Sequence, residues 1–128
     1  MRVLILSQFF DPEPMPRGLS LAQGLIAAGH EVEVVTGFPN YPGGKIYQGY
    51  RMRPVRREMV EGVRMTRLAL YPSHSQSKFG RIANYVSFAA SATLYGLFAR
   101  LKADVIYVYH PPLTVGMAAA IFGWVKRI

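Results

Sequence analysis

The 128-residue chain has no cysteine, which excludes a disulfide scaffold, thiol catalysis and thiolate metal sites. Acidic residues are scarce, seven against fifteen Lys and Arg, giving a net charge of +8. That surplus favours an anionic partner: nucleic acid, a phosphorylated ligand or an anionic membrane face. Glycine-rich phosphate motifs are absent. No G-x-G-x-x-G follows the first apolar run and no G-x-x-x-x-G-K-S/T occurs, which argues against a dinucleotide fold and a P-loop NTPase. The three histidines, His30, His74 and His110, have no metal-ligand spacing, and no H-E-x-x-H is present, so no metal site is expected. No secretory leader opens the chain, which reads as cytoplasmic. The length suits one domain, and a chain of this size can bury roughly two-thirds of its unfolded surface.

What is present follows an alternating pattern. Arg2–Leu6 (RVLIL) is a short apolar run, as expected of a strand buried on both faces. Three alternate prolines in residues 12–16 forbid a helix and mark a loop. Arg17–Ala28 has helical spacing, with Gly29 as its stop, and Glu31–Thr36 (EVEVVT) is a β-branched strand. These segments spell a βαβ unit with a right-handed crossover. After a Pro-, Gly- and Tyr-rich loop at 37–50, Val55–Leu68 reads as a hairpin turning at Glu61-Gly62. Phe79–Leu101 reads as a long Ala-rich helix, Asp104–Tyr109 (DVIYVY) as another buried strand, and Leu113–Ile128 as a helix that stops without a cap, as in a chain cut from a longer protein. The expected fold is α/β and Rossmann-like: a mostly parallel sheet with helices on both faces, forming a single domain over 1–128.

Ligands of such sheets bind at the carboxyl ends of the strands. Three loops gather there, at 7–16, 37–50 and 109–114. Gly18 opens the first helix, where it either lets an anion approach free backbone N–H groups or permits tight packing. Asn40, Tyr41, Gly43, Gly44 and Lys45 combine an amide, an aromatic face, a flexible pair and a cation, a set suited to a sugar phosphate or to a structural loop. His110 stands at a strand's carboxyl end before two prolines, the place for an active-site side chain. Asp11 and Glu13 share the first loop as further acid or base candidates.

Between Lys45 and Arg67 lie seven basic and two acidic residues, with Tyr47, Tyr50 and Met52 interleaved. Such a run is a solvated face, a nucleic-acid surface or an anionic-lipid surface. The Ile82–Leu101 segment holds Asn84, Ser87, Ser91 and Thr93 and no charge before Arg100. It is read first as a helix buried against the sheet, then as a monotopic membrane face, and last as a span.

The order RVLILSQFFDPEP, AAGHEVEVVTGFPNYPGGKIYQGY, EGVRMTRL and ADVIYVYHPPLTVGMAAA resembles the start of a family 4, GT-B type glycosyltransferase. Within that family it is most similar to amino-sugar transferases of bacterial capsule, O-antigen and exopolysaccharide synthesis. TGFPNYPGGKIYQGY with PPLTVG carries most of that similarity, which extends over essentially the whole chain. The resemblance implies two Rossmann-like domains facing across a cleft, of which this is the N-terminal, acceptor-side one. It implies a retaining transfer from a nucleotide-sugar donor, held mainly by a C-terminal domain, to a lipid-linked sugar acceptor at the inner membrane face. It implies no further cofactor and no nucleic acid, and the isolated piece should be inactive.

The resemblance also implies roles for particular residues. A Gly-Gly pair common in the family's first loop, near the donor phosphates, is replaced here by Pro14-Met15-Pro16-Arg17-Gly18, in which only Gly18 survives, and Arg17 and Gly18 are the acceptor- or donor-binding candidates there. The family's strand-end His position falls on Tyr109, with His110 one place on as the catalytic candidate. The competing reading is a basic nucleic-acid or anionic-membrane binding module without catalysis.

Overall fold

The computed structural model describes residues 1–7, 19–38, 50, 54–60, 62–71, 78–99, 103–108 and 113–127. The elements run β1 (Arg2–Leu6), α1 (Leu19–Ala27), β2 (Glu31–Gly37), β3 (Val55–Val60), β4 (Val63–Leu68), α2 (Lys78–Phe98), β5 (Val105–Val108) and α3 (Leu113–Lys126). They form one five-stranded sheet in the order β3-β4-β2-β1-β5. Every neighbouring pair is parallel except the β3–β4 hairpin. The expected α/β architecture is therefore present, with its strands within a residue or two of their sequence limits.

Side-chain alternation along the strands separates two cores. Val3 and Ile5 of β1, Val32 and Val34 of β2, and Val63 and Met65 of β4 pack under Ala22 of α1. On the opposite face Leu4, Leu6, Val35, Leu68 and Leu70 meet Phe88 and Ala92 of α2 and Val115, Ala118 and Phe122 of α3. Two glycines end elements by adopting positive φ, which costs a residue without Cβ little. Gly29 (φ 94) lets its own N–H reach the Ile26 carbonyl and that of His30 reach Leu25, closing α1. Gly62 (φ 83) occupies the hairpin turn.

Two expectations need correction. The DVIYVY strand is not buried on both faces. It forms the sheet edge, and Val105 and Tyr107 are exposed because no described element covers the α1 side of β5. Its free edge and α3 border an open groove of about 530 Å³ lined by Val105, Ile106, Ala119, Gly123 and Trp124. The long helix is described to Phe98 rather than Leu101, and it is buried along one side only: Asn84, Phe88 and Ala92 face the core while Phe79 is 86% exposed.

The polar residues of α2 have a structural task. Asn84 Nδ2 donates to the Tyr71 carbonyl at 2.7 Å, Ser87 Oγ accepts the Tyr71 N–H at 2.7 Å, and Ser91 Oγ donates to the Ala69 carbonyl at 2.6 Å. They satisfy backbone that has just left the sheet after β4 and would otherwise lie unpaired against the helix. Among the described residues no helix is long and apolar enough to cross a membrane.

Candidate functional site

The chain passes from β1 to β2 on one side of β1, then returns after α2 to place β5 on its other side. The strand order thus switches direction between β1 and β5, the position where open parallel sheets bind ligands. Register fixes which segments leave from there. Leu6 lies beside Val108, so residues 8–18 and 109–112 depart from neighbouring strand ends. Leu6 also lies beside Val35, which brings β2 and the departure of 39–49 next to them. The three loops expected to carry the chemistry therefore leave adjoining strands at one edge.

Every named candidate side chain lies on those loops and outside the described residues: Arg17, Gly18, Asn40, Tyr41, Gly43, Gly44, Lys45, Tyr109 and His110. Asp11, Glu13 and His74 also lie outside them. His30 belongs to the end of α1, where its backbone serves the cap. Its Nδ1 is buried without a hydrogen-bond partner among the described residues.

The strand ends that precede these segments are described. Ser7, Thr36 and Phe38 are buried at the carboxyl ends of β1 and β2, and the Ser7 N–H donates to the Val35 carbonyl at 3.1 Å. That bond continues the β1–β2 ladder by one residue before the first loop leaves.

The sequence pattern did not single out the group that joins Gly37 to Tyr50. Arg67, 0% exposed, occupies the position that alternation after Val63 and Met65 assigns to an apolar residue. Its Nε donates to Glu58 Oε1 at 2.8 Å and its Nη1 to the Gly37 carbonyl at 2.9 Å. The Tyr50 ring sits 4.9 Å from the Arg67 guanidinium carbon and 4.8 Å from that of Arg56, and its hydroxyl donates to Glu58 Oε1 at 3.3 Å. One buried cation thus ties the exit of β2 to the first described residue beyond the loop at 39–49. The signal available in the sequence was the arginine interrupting an apolar alternation.

This arrangement also engages much of the basic run. Arg56 pairs with Glu58 at 3.6 Å and Arg57 donates to the Tyr95 hydroxyl at 3.5 Å, which holds the Arg57 guanidinium above its ordinary pKa. Tyr50, one of the aromatics that would stack on bases, is stacked internally instead. Among the described residues no group of three His, Asp or Glu side chains comes together as a metal site.

The described geometry is that of adjoining parallel strand ends, with Ser7 hydrogen-bonded to β2 and with Arg67 joining Gly37 to Tyr50 on either side of residues 39–49. A comparison with curated proteins returns no match. Residues 16–128 match the family model of a glycosyl transferase 4-like domain.

Proposed function

The chain belongs to the glycosyl transferase 4-like family, and from that premise we propose that it is the acceptor-side half of a retaining transferase that builds bacterial surface polysaccharide. A glycosyltransferase domain implies a nucleotide-sugar donor and an acceptor. The finer reading is that the donor is a nucleotide-linked hexose or amino sugar, held mainly by a second Rossmann-like domain. The acceptor is a lipid-linked sugar presented at the cytoplasmic face of the inner membrane. The observation that supports this most is that β1 and β5, the strands followed in sequence by the segments bearing Arg17, Gly18, Tyr109 and His110, end side by side at the switch in strand order.

In the proposed reaction the bond between the anomeric carbon and the nucleotide's terminal phosphate oxygen breaks. The acceptor oxygen bonds to that carbon on the same face. Its proton passes to the departing phosphate, whose charge needs nearby donors. Arg17 and the Gly18 N–H are placed by sequence to serve those phosphates, and Asn40, Tyr41, Gly43, Gly44 and Lys45 to hold a sugar. His110 is proposed as the catalytic residue beside the reacting carbon, with Tyr109 at the same edge.

The test is transfer from a panel of nucleotide sugars to membrane lipid extract, using protein made from the complete reading frame. Labelled sugar in the lipid fraction is the expected result, and no transfer from any common donor overturns the reading. A His110→Ala variant should lose most of the activity; full activity removes His110 from catalysis.

A further inference from the structure

On the α1 side of the sheet the core changes character at the carboxyl ends of the strands. Ile5, Val34 and Met65 are apolar and buried there. Two residues further along each strand, the same alternation brings Ser7, Thr36 and Arg67, all buried and all polar. Thr36 and Arg67 lie side by side in the β2–β4 register. Of the three, only Arg67 brings a charge with it.

A charge in this place adds little to stability. Desolvation of a buried guanidinium and carboxylate offsets most of their attraction, and a well-packed apolar pair of similar volume is often as stable or more so. What an apolar side chain lacks is reach to polar groups on other parts of the chain. Arg67 has such partners on three segments: Glu58 of β3 at 2.8 Å, the Gly37 carbonyl at the end of β2 at 2.9 Å, and the Tyr50 ring at 4.9 Å. Glu58 closes the joint, since its Oε1 also accepts the Tyr50 hydroxyl at 3.3 Å. Gly37 and Tyr50, on either side of residues 39–49, are thus held to one guanidinium.

We propose that Arg67 is a positioning residue for the sugar acceptor. It fixes the spacing of Gly37 and Tyr50, between which Asn40, Tyr41, Gly43, Gly44 and Lys45 lie in sequence. The inference rests on the reading of this domain as the acceptor side and of those five residues as holding a sugar. Arg67 itself is 0% exposed, so it acts through Gly37 and Tyr50 and not by contact with substrate.

Such a role has a kinetic signature. Displaced acceptor contacts weaken acceptor binding, whereas the donor, held mainly by the second domain, is unaffected. Loss of binding shared by the ground and transition states raises KM and leaves kcat in place. Lysine is no substitute, because one ammonium lacks the planar fork that serves a carboxylate, a carbonyl and a ring face together.

The experiment is steady-state transfer by protein from the complete reading frame, varying donor and acceptor in turn, with circular dichroism melting to show that each variant is folded. The deciding variant is Glu58→Leu with Arg67→Met, which removes both charges and leaves neither buried alone. It should raise acceptor KM at least about tenfold, with donor KM and kcat within about threefold of the parent. Arg67→Lys should raise acceptor KM at least about threefold although it keeps the charge. Tyr50→Leu leaves the ion pair and removes the second attachment; it should do the same, and it decides by the same readouts if the double variant does not fold. Gly96→Ala, which brings a methyl group against Phe122 between α2 and α3, lies outside the joint and should keep the parent's acceptor KM.

A folded double variant with the parent's acceptor KM overturns the proposal, as does one whose loss lies in donor KM or kcat alone. So does a Gly96→Ala variant that raises acceptor KM equally, since the effect would then follow stability and not the joint. No transfer by the parent from any donor to any acceptor overturns the transferase reading and this role with it. Transfer by the parent with an acceptor KM indifferent to Arg67 overturns the role alone.

Discussion

Glu58 on β3 and Arg67 on β4 meet diagonally across an antiparallel pair, Oε1 to Nε at 2.8 Å, with the arginine buried and the carboxylate 16% exposed. The two partners are not equivalent. Removing Glu58 takes the carboxylate from a guanidinium that has no access to water and leaves it with neutral partners such as the Gly37 carbonyl and the Tyr50 ring, while removing Arg67 leaves a carboxylate that still has Arg56 and the Tyr50 hydroxyl. Glu58→Leu should therefore cost about 3–5 kcal/mol in urea unfolding, Arg67→Met clearly less, and the double variant less than the sum. Equal single costs that simply add would mean that the pair is not coupled.

The α2–α3 contact depends on a missing side chain. A methyl group at Gly96 would overlap the buried ring of Phe122. Gly96→Ala should cost about 1–3 kcal/mol in thermal or urea unfolding, although alanine is the better helix former. Adding Phe122→Leu should recover part of that loss, and a Gly96→Ala variant as stable as the parent would show that the helices can separate freely.

Elsewhere the same substitution should have the opposite sign. Gly24 lies within α1 with open space around the position of a Cβ, so Gly24→Ala should stabilise by about 0.5–1 kcal/mol. Gly29 has equal space but φ 94, and alanine there should destabilise by about 1 kcal/mol through left-handed strain. Paired melting curves test both signs.

Acid should loosen the joint between β1 and β5. The Arg2 N–H donates to Asp104 Oδ2 at 2.7 Å, and this hydrogen bond holds the Asp104 carboxyl below its ordinary pKa, with the Arg2 charge adding to the effect. A lowered folded value means that the carboxylate's contribution is present above the unfolded value of about 3.9 and is lost as pH falls through the folded one. The melting temperature of the parent should thus drop more steeply than that of Asp104→Asn below about pH 4, and the two curves should converge at the acid end. Because the group is exposed, 1 M salt should narrow the difference at neutral pH.

The core was legible because its signals are local. RVLIL is an apolar run on both faces, as a central parallel strand requires, EVEVVT is rich in β-branched residues, and Glu61-Gly62 marks the hairpin turn. DVIYVY carries the same kind of signal, yet β5 lies at the edge, since hydropathy does not state whether a neighbour is present to cover the strand. The α2 segment misled for a related reason. Asn84, Ser87 and Ser91 point to the core side, where they hold the chain leaving β4, whereas its outer side is apolar, so polarity and exposure are inverted along it. For the site, alternation could identify the strand ends but not the Arg67–Glu58–Tyr50 anchor, whose members come together only through the register of β3 on β4 and the return of the chain at Tyr50.

The position of β1 sets a timetable for synthesis. It emerges first but pairs on one side with β2, which follows closely, and on the other with Val105–Val108, about a hundred residues later. At roughly 5–20 residues per second a ribosome leaves that second edge without its partner for on the order of ten seconds. During that interval Val3–Leu6 is an apolar strand with one row of unmatched amides, a template for any extended segment nearby. A cell that makes this chain therefore gains from translating residues 7–104 quickly or from shielding its first strand until β5 arrives.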